Sequence, residues 1–487
     1  MRKFTIRLTV LLMSSLVFFG MYRLEEPGKT KGLSKIASNE LRDHIDINQI
    51  DMIFYNNGIG SYNNTGTGSS GLFWPKGSIK TAIFEDGLVF GGRVGATEIR
   101  VGGSTYKSGL QAGMIKNGVP DNSSLPEYRI YKIKRGWETF PAGAEKDRLK
   151  KDYEEWPVDQ GAPWVDLNND GVYTKGIDKP QFVGDEVDFM VMNDGDPART
   201  TNLYGTQPMG IEVQCTIFGF NRTGDLGNML FKKYRLINKG SNTIRDMYIG
   251  LWSDPDLGDA NDDFVGCDTI RSLGFVYNGD NDDGGGAGAT YGTPPPAAGY
   301  DFFQGPVIPY DIAKYPIITQ KNLPDSAKFG GKWVPGKTNL PLTSFSFYIN
   351  SGPVQYKDPD LGAPTGSQQM YWYMTSRDYQ GKQFVDPTQG NKPVQFCLPG
   401  DPVNGTGWYE GAGWQGGQAP GDRRMLMSSG PFKFEPGEIQ EVVVGIILAK
   451  GTSNINSVNA LKGADDAAQK AYNLDFRNEL KISDNSS

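Results

Sequence analysis

The chain has 487 residues, of which 38% are hydrophobic and 12% aromatic, and its formal net charge at pH 7 is −7. A chain of this length can bury a sizeable core and suits two or three domains. The mild acidic balance, without a basic cluster, argues against a nucleic-acid partner and against binding to an anionic membrane surface. Glycine (64 residues) and proline (30 residues) are abundant, which favours short strands joined by turns over long helices.

The first residues have the pattern of a secretory signal peptide. A cationic start, MRKFTIR, precedes an apolar run at 8–20 that is too short for a comfortable membrane span. We therefore expect residues 1–22 to be a signal peptide, with an uncleaved N-terminal anchor as the alternative. The mature chain is then expected to be secreted or displayed on the cell surface, without a membrane span.

Short β-prone runs separated by glycine pairs predict a meander of strands over 79–103. The charged stretch 144–156 predicts one solvated helix. From 211, the sequence IEVQCTIFGF alternates apolar and polar residues, which predicts a strand with one buried face. Residues 229–256 then predict two strands joined by the turn NKGSN.

The C-terminal half predicts further strands at 343–350 and 370–376. A continuous apolar run at 442–449 is typical of a strand buried between two layers. Ser457 is the predicted N-cap of a closing helix, because apolar residues follow it at helical spacing.

These patterns predict a mainly β protein of antiparallel, β-sandwich-like domains with long loops and one C-terminal helix. The predicted division is an N-terminal β-rich region at 50–205, a β-sandwich domain with long loop insertions at 206–476, and a disordered tail at 477–487.

Histidine and cysteine are scarce. His44 is the single histidine, so a Ser-His-Asp triad, a Cys-His pair and multi-histidine metal catalysis are disfavoured. The cysteines Cys215, Cys267 and Cys397 contain no CxxC pair, which argues against a zinc knuckle and a thioredoxin-type site. One disulfide with one free thiol, or no disulfide, are both open. Carboxylate-pair chemistry remains, because it needs only Asp and Glu.

Several phrases of the sequence occur together between about 70 and 476: WPVDQGAPWVDLNNDGVY, GLWSDPDLGDANDDFVGCDT, GYDFFQGP and MSSGPFKFEPGEIQEVVVGIILAKGTSN. Together they resemble a family of large secreted proteins of Gram-negative bacteria that use type IX secretion. Members are mostly uncharacterised and often carry a C-terminal sorting domain, which we expect to be missing here. The resemblance implies export and no particular chemistry.

The stretch DLNNDGVYTKGID at 166–178 predicts a calcium loop. Its first three ligands occupy positions 1, 3 and 5, a glycine gives the sharp turn at 6, and a backbone carbonyl follows at 7. Position 12 is Ile177 and no helical pattern follows, so a loop on a β-scaffold, closed by Asp178 or by Asp185, fits better than an EF-hand. The alternative is a metal-free Asn/Asp/Gly turn. The predicted ligands are Asp166, Asn168, Asp170, Val172 and Asp178.

A second acidic stretch, DPDLGDANDDFVGCD at 254–268, is a weaker metal candidate. Its six carboxylates repel one another unless they are solvated, protonated or neutralised by a cation. A solvated acidic loop and a catalytic carboxylate pair are the alternatives. The residues concerned are Asp254, Asp256, Asp259, Asp262, Asp263 and Asp268.

Two aromatic stretches, YWY at 371–373 and GWYEGAGW at 407–414, could stack on sugar rings, although core packing is the commoner role. Neither a P-loop nor a dinucleotide-binding fingerprint is present. We expect no catalytic residues, Ca²⁺ in a structural role, and a non-enzymatic structural or adhesion protein with a surface, matrix or glycan partner. The alternative is a carbohydrate-binding protein or a carboxylate-pair glycoside hydrolase.

Overall fold

The structure is a computed structural model that describes residues 40–64, 69–286, 288–311, 326–414 and 416–476. The predicted signal peptide and the predicted tail lie outside these residues. No helix within the described ranges has the length and apolar character needed to cross a membrane.

Strands account for 40% of the residues and helices for 18%, which confirms the predicted mainly β class with its antiparallel sheets and C-terminal helix. The four α-helices of the described ranges are α1 Ala144–Glu154, α2 Pro197–Tyr204, α3 Pro364–Met374 and α4 Asn454–Asn473.

The first half of the chain forms short strands and three longer ones. They are β1 Arg42–Ile45, β2 Asp51–Tyr55, β3 Ile59–Gly60, β4 Tyr62–Asn63, β5 Ser69–Ser70, β6 Leu72–Phe73, β7 Thr81–Ile83, β8 Glu85–Val94, β9 Glu98–Gly103, β10 Gln111–Ala112, β11 Ile115–Lys116, β12 Val119–Pro120, β13 Tyr131–Lys134, β14 Trp164–Val165, β15 Lys179–Pro180, β16 Glu186–Asn193 and β17 Ile211–Gly219.

The second half contains most of the long strands. They are β18 Met229–Asn238, β19 Ile244–Asp254, β20 Asp263–Asp268, β21 Leu273–Asn278, β22 Ala297–Gln304, β23 Val307–Pro309, β24 Ser326–Phe329, β25 Lys332–Pro335, β26 Lys337–Asn339, β27 Ser344–Ile349, β28 Val385–Asp386, β29 Lys392–Pro393, β30 Arg423–Phe434 and β31 Ile439–Ala449.

Two large sheets organise these strands. The first has the order β27-β30-β19-β8-β3-β2-β6-β7, with β1 on β2 and β9 on β8. The second has the order β10-β16-β17-β18-β31-β22-β21-β20, with β13 on β16. Their long neighbours pair antiparallel, as in β17 with β18 and β19 with β30. The regions 50–205 and 206–476 both contribute strands to each sheet, so the two sheets span the predicted boundary.

The inner faces of the two sheets share one apolar layer. Leu88 and Phe90 of β8 belong to the same buried cluster as Val213 of β17 and Val444 and Ile446 of β31. Packing of this kind makes a β-sandwich, in which each sheet covers the apolar face of the other. The apolar run at 442–449 lies within β31 and is buried as predicted.

The alternation in β17 divides its side chains between two environments. Ile211, Val213, Cys215 and Ile217 all belong to the apolar layer between the sheets. Glu212, Gln214 and Thr216 alternate with them and therefore point to the opposite, outer face of the second sheet. A cleft forms on this outer face.

A second apolar cluster covers much of that outer face. Phe218 and Phe231 of the sheet belong to the same cluster as Val458, Leu461 and Tyr472 of α4. The predicted C-terminal helix is therefore present, but it begins at Asn454 and not after the predicted N-cap Ser457. Ser453 is its N-cap and accepts a hydrogen bond from the backbone N–H of Asn456 at 3.1 Å.

Ser457, the predicted cap, lies inside the first turn instead. Its hydroxyl donates to the carbonyl of Pro295 at 2.7 Å and is fully buried. The prediction chose the wrong one of two serines because both precede apolar residues at helical spacing.

One predicted strand was wrong. Residues 370–376 belong mainly to α3, which begins at Pro364, and Met370, Tyr373 and Met374 are buried at the spacing of a helix face. The strands on either side of the turn NKGSN do not pair, because β18 joins the second sheet and β19 the first. A short turn between strands marks a reversal of the chain, but it does not fix which neighbours pair.

Candidate functional site

A cleft of 560 Å³ opens on the outer face of the second sheet. Strands β17, β18 and β31 form its floor, and the end of α4, the turn between β24 and β25, and the stem of β14 and β15 form its walls. Ligand clefts of proteins commonly combine aromatic walls with a few convergent polar groups. The cleft lining includes Trp164, Gln214, Thr216, Arg235, Phe329 and Glu441.

The polar side chains of the floor bind one another in a network. Lys233 forms an ion pair with Glu441 at 2.9 Å, and Gln304 donates to Glu441 at 3.2 Å. The Tyr472 hydroxyl donates to Gln304 at 2.5 Å. Because these side chains hold one another in place, the floor presents fixed polar groups to a ligand.

A second lysine pair lies at the wall beside α4. Lys328 forms an ion pair with Asp475 at 2.5 Å, and its ammonium lies 4.1 Å from the centre of the Tyr472 ring. Both carboxylates of the cleft, Glu441 and Asp475, are therefore held by lysines.

The predicted calcium loop connects β14 to β15, next to this cleft. Asp166 accepts hydrogen bonds from the backbone N–H groups of Asp170 and Gly171 at 3.3 and 2.8 Å. Asp178 is buried and closes the loop by accepting from the N–H groups of Leu167 and Thr174 at 2.9 and 2.6 Å. Backbone N–H groups of the loop thus bind two of its acidic side chains.

The remaining predicted ligands of this loop are exposed. Asn168 donates to Asp170 at 2.7 Å, and Asp170 accepts from the N–H of Val172 at 2.7 Å. Asp166, Asp170 and Asp178 do not form a set of carboxylates within 4.8 Å of one another in the described part of the chain. The local turns of this loop are compatible with both predicted alternatives, the calcium loop and the metal-free turn.

The loop and the cleft meet at one aromatic contact. The ring of Trp164, which lines the cleft, packs edge-on against Tyr173 of the loop with 5.5 Å between ring centres. The conformation of the loop therefore sets the position of one cleft wall.

The second acidic stretch separates into three places. Asp254 and Asp256 come together with Asp422, and one oxygen of each lies within 4.8 Å of the other two. Asp422 is the residue before β30, about 170 positions further along the chain. Three carboxylates so close together form the arrangement that hard cations such as Ca²⁺ prefer.

Arg424 lies within this cluster and is itself buried. It donates to Asp254 at 3.3 Å, to the Tyr106 hydroxyl at 2.5 Å, and to Asp422. One arginine cannot neutralise three carboxylates. Burial raises the pKa of Asp254 well above its ordinary value, although Arg424 acts in the opposite direction.

Asp254 has one oxygen that fits a cation. Its Oδ2 accepts from Tyr106 at 2.7 Å, whereas its buried Oδ1 accepts no hydrogen bond from any described residue. A bound cation would supply the missing positive charge and the missing partner together. These three carboxylates could therefore hold a metal ion.

Asp259, Asp262 and Asp263 lie near Asp283. Asp283 accepts from the N–H of Asp259 at 2.8 Å, and Asp263 accepts from the N–H of Leu257 at 2.9 Å. Burial, Asp283 and Asp259 together raise the pKa of Asp262 to about 7. The backbone hydrogen bonds to Asp283 and Asp263 hold this group in place.

Asp268 lies apart from the others, at the far end of β20. It forms ion pairs with Arg271 at 2.9 Å and Lys462 at 3.6 Å. The structure therefore does not bring the six aspartates together.

The predicted sugar-stacking aromatics are largely core residues. Tyr371 and Tyr373 lie on α3 with side chains that are 4% and 0% exposed, and Trp408 is 3% exposed. The aromatic side chains that do line the cleft, Trp164 and Phe329, lie outside both predicted stretches.

The single histidine and the cysteines lie outside the cleft. Half of the His44 side chain is exposed, and the hydrogen bond that its ring donates to the Asp51 carboxylate raises its pKa. Cys215, Cys267 and Cys397 are free thiols and are buried.

Sequence reasoning missed Asp422, Arg424 and Tyr106 at the acidic cluster and Arg235 and Glu441 at the cleft. Each joins its site through contacts between segments that are far apart in the chain. The alternation in β17 was the one available signal, because its polar positions Gln214 and Thr216 form part of the cleft floor.

Comparison with family models and with curated proteins identified no relative of this chain. No family model matches the chain, and no curated protein matches it.

Proposed function

We propose that this protein is an extracellular, non-enzymatic adhesion protein that holds a carbohydrate chain in the cleft of its second sheet, with Ca²⁺ in a structural role. The observation that carries the proposal is the cleft itself. It combines partly exposed aromatic rings at its walls with a floor of amide, hydroxyl and charged side chains. Aromatic faces pack on the apolar faces of sugar rings, and planar polar groups bind sugar hydroxyls.

A carbohydrate suits this cleft better than an extended peptide that would add a strand. The floor is the face of a sheet, and the backbone N–H and C=O groups of β17 and β18 are used in pairing with their neighbours. Strand addition needs an open sheet edge. Recognition in this cleft must therefore come from side chains.

Binding without turnover is supported by the state of the carboxylates in the cleft. A carboxylate-pair hydrolase needs one carboxyl free to donate a proton and another free to attack or to activate water. Glu441 and Asp475 are instead held by Lys233 and Lys328.

The calcium loop has a mechanical role in this proposal. Ca²⁺ between Asp166, Asn168 and Asp170 would hold the loop in one conformation, and the Tyr173–Trp164 contact would pass that order to the cleft wall. At the buried cluster, Asp254, Asp256 and Asp422 would bind a second cation.

The test is a glycan array followed by titration calorimetry on the purified full chain. The wild type should bind a defined set of polysaccharides, and Trp164→Ala should weaken binding at least tenfold, which is about 1.4 kcal/mol. The matched control is Trp333→Ala, because Trp333 is 51% exposed and does not line the cleft. It should bind like the wild type.

Two results would overturn the proposal. One is a wild type that binds no glycan, and the other is release of reducing sugar from a bound polysaccharide, which would make the protein a hydrolase. Circular dichroism of both tryptophan variants checks that each retains the β fold.

A further inference from the structure

The charged groups of the cleft are unevenly paired. Lys233 is neutralised by Glu441, and Lys328 by Asp475. Arg235 is the third cation of the cleft lining. Its guanidinium donates to the neutral side-chain oxygen of Gln214 at 3.2 Å and forms no ion pair with any described residue.

The carboxylate opposite Arg235 in the sheet does not form an ion pair with it. Glu441 lies directly opposite it on β31. One Glu441 oxygen, however, binds Lys233, and the other accepts from Gln304 and from the N–H of Gly330 at 3.2 Å each. The positive charge of Arg235 therefore remains uncompensated on the cleft floor.

Gln214 fixes the orientation of this arginine. It is the cross-strand neighbour of Arg235, and its amide group donates to Glu212 at 3.2 Å. A partly buried guanidinium held from one side presents its remaining N–H groups in a fixed plane. That fork matches the planar, two-oxygen geometry of a carboxylate.

Thr216 lies one position further along the same face of β17. It also lines the cleft, is 6% exposed, and its hydroxyl can donate and accept. A sugar ring whose carboxylate contacts Arg235 would thus have a hydroxyl partner beside it.

We propose that the cleft is selective for acidic polysaccharides, with the carboxylate of a uronic acid residue bound by Arg235. This deepens the proposed function and rests on it. A ligand needs to supply one negative charge to neutralise Arg235. The sugar rings next to the uronic acid residue would lie against Trp164 and Phe329.

The experiment compares two tetrasaccharides that differ only in charge. Tetragalacturonic acid and its full methyl ester are titrated into the purified full chain by calorimetry, at low and at physiological salt. The wild type should bind the acid at least tenfold more tightly than the ester, which is about 1.4 kcal/mol. This preference should shrink as salt is raised, because the contact is only partly buried.

The variant Arg235→Gln should remove the preference and bind the acid and the ester with equal strength. Gln keeps hydrogen-bonding capacity at the position while removing the charge. The control is Arg42→Gln, an exposed arginine on β1 that does not line the cleft, and it should keep the wild-type preference.

Failure of this inference can be told from failure of the proposed function. If the wild type binds acid and ester equally and Trp164→Ala weakens both, the cleft binds carbohydrate and the selectivity for uronic acids is wrong. If neither tetrasaccharide nor any arrayed glycan binds, the proposed function itself fails. Equal binding of a hexaglutamate peptide and tetragalacturonic acid would overturn the assignment to a sugar and leave a generic anion site.

Discussion

Lys232 of β18 and Asp86 of β8 form an ion pair at 2.9 Å that joins the two sheets through their shared apolar layer. The side chains are 6% and 3% exposed. The Tyr300 hydroxyl donates to the same carboxylate at 3.0 Å, so the buried charge has three donated hydrogen bonds. The pair lies among the apolar side chains of this layer and links one sheet to the other.

Removing the lysine from this pair should be costly. We expect Lys232→Met to lower the free energy of unfolding by about 3–5 kcal/mol, because Asp86 would remain buried without its counter-charge. Urea unfolding followed by tryptophan fluorescence measures the change. The control is Lys150→Met, which breaks an exposed pair with Glu154 and should change the free energy of unfolding by less than about 0.5 kcal/mol.

A double variant separates the pair from the cost of an orphaned charge. Asp86→Leu combined with Lys232→Met should be more stable than Lys232→Met alone, since no unpaired charge remains in the layer. If the double variant is less stable than the wild type by the sum of the two single-variant effects, the two residues act independently and the ion pair is not what joins the sheets.

If the loop at 166–178 binds calcium, the stability of the protein should depend on the cation present. At a calcium concentration one hundredfold above Kd, binding to the folded state adds about 2.7 kcal/mol to the free energy of unfolding. Asp170→Ala should therefore lower the melting temperature by a few degrees in calcium and leave it nearly unchanged in chelator. Magnesium should restore the wild type poorly, because this ion demands a stricter octahedral geometry.

Asp178→Asn is the informative companion variant. Its two oxygens accept backbone hydrogen bonds that close the loop, so the amide should lower stability both in calcium and in chelator. A wild type that melts at the same temperature in calcium and in chelator would mean that residues 166–178 form a metal-free turn.

The sequence predicted the parts of the fold that depend on local patterns. The apolar run of β31 and the charged helix α1 are local features, and each has the predicted structure. The alternation in β17 predicted the strand correctly, but both of its faces are buried instead of one. The predicted strand at 370–376 was wrong, because most of these residues belong to α3, where Met370, Tyr373 and Met374 are buried at the spacing of a helix face.

The sites depend on contacts that no local pattern encodes. Asp422 reaches Asp254 because β30 pairs with β19, and Arg235 faces Glu441 because β18 pairs with β31. Pairing partners in a sheet of this topology are separated by up to about 200 residues, and the chain between them can take many lengths at little entropic cost. The sequence therefore indicated acidic loops but not which carboxylates would meet.

Substitution by alanine should have opposite effects on stability at two glycines, Gly463 and Gly87. Gly463 lies exposed inside α4, and a Cβ there would meet no atom within 4 Å. Gly463→Ala should raise the free energy of unfolding by about 0.5–1 kcal/mol, because alanine loses less backbone freedom on forming a helix.

Gly87 of β8 is the contrasting case. A Cβ at this position would lie 2.1 Å from the backbone oxygen of Ser104, which belongs to the chain after β9. Gly87→Ala must displace that segment and should lower the free energy of unfolding by about 1–3 kcal/mol. Thermal unfolding of the two variants beside the wild type gives the comparison. A stabilised Gly87→Ala protein would contradict the packing of this segment against β8.

The buried Asp194 gives the last prediction, on the pH dependence of stability. Its oxygens accept from the N–H groups of Met209 at 2.8 Å and Ile211 at 2.6 Å. Burial raises its pKa to about 6, although these hydrogen bonds act in the opposite direction. In an unfolded chain the pKa of an aspartate is about 3.9.

The two pKa values define the pH window. Below about pH 4 the carboxyl is protonated in the folded and the unfolded chain, so it contributes no dependence on pH. Between about pH 4 and 6 only the unfolded chain loses the proton, which favours unfolding, and above pH 6 both states are ionised. The contribution of Asp194 to the free energy of unfolding therefore falls as pH rises, by about 3 kcal/mol over the whole window.

Asp194→Asn isolates this contribution, because it keeps the shape of the side chain and does not titrate, while the other carboxyl groups titrate alike in both proteins. We expect the stability of the wild type relative to Asp194→Asn to be greatest at pH 4, to decrease to about pH 6 and to level off by pH 7. Urea unfolding of both proteins at pH 4, 5, 6 and 7 measures the difference. A difference that grows with pH would mean that the backbone hydrogen bonds outweigh burial and hold the pKa of Asp194 below its ordinary value.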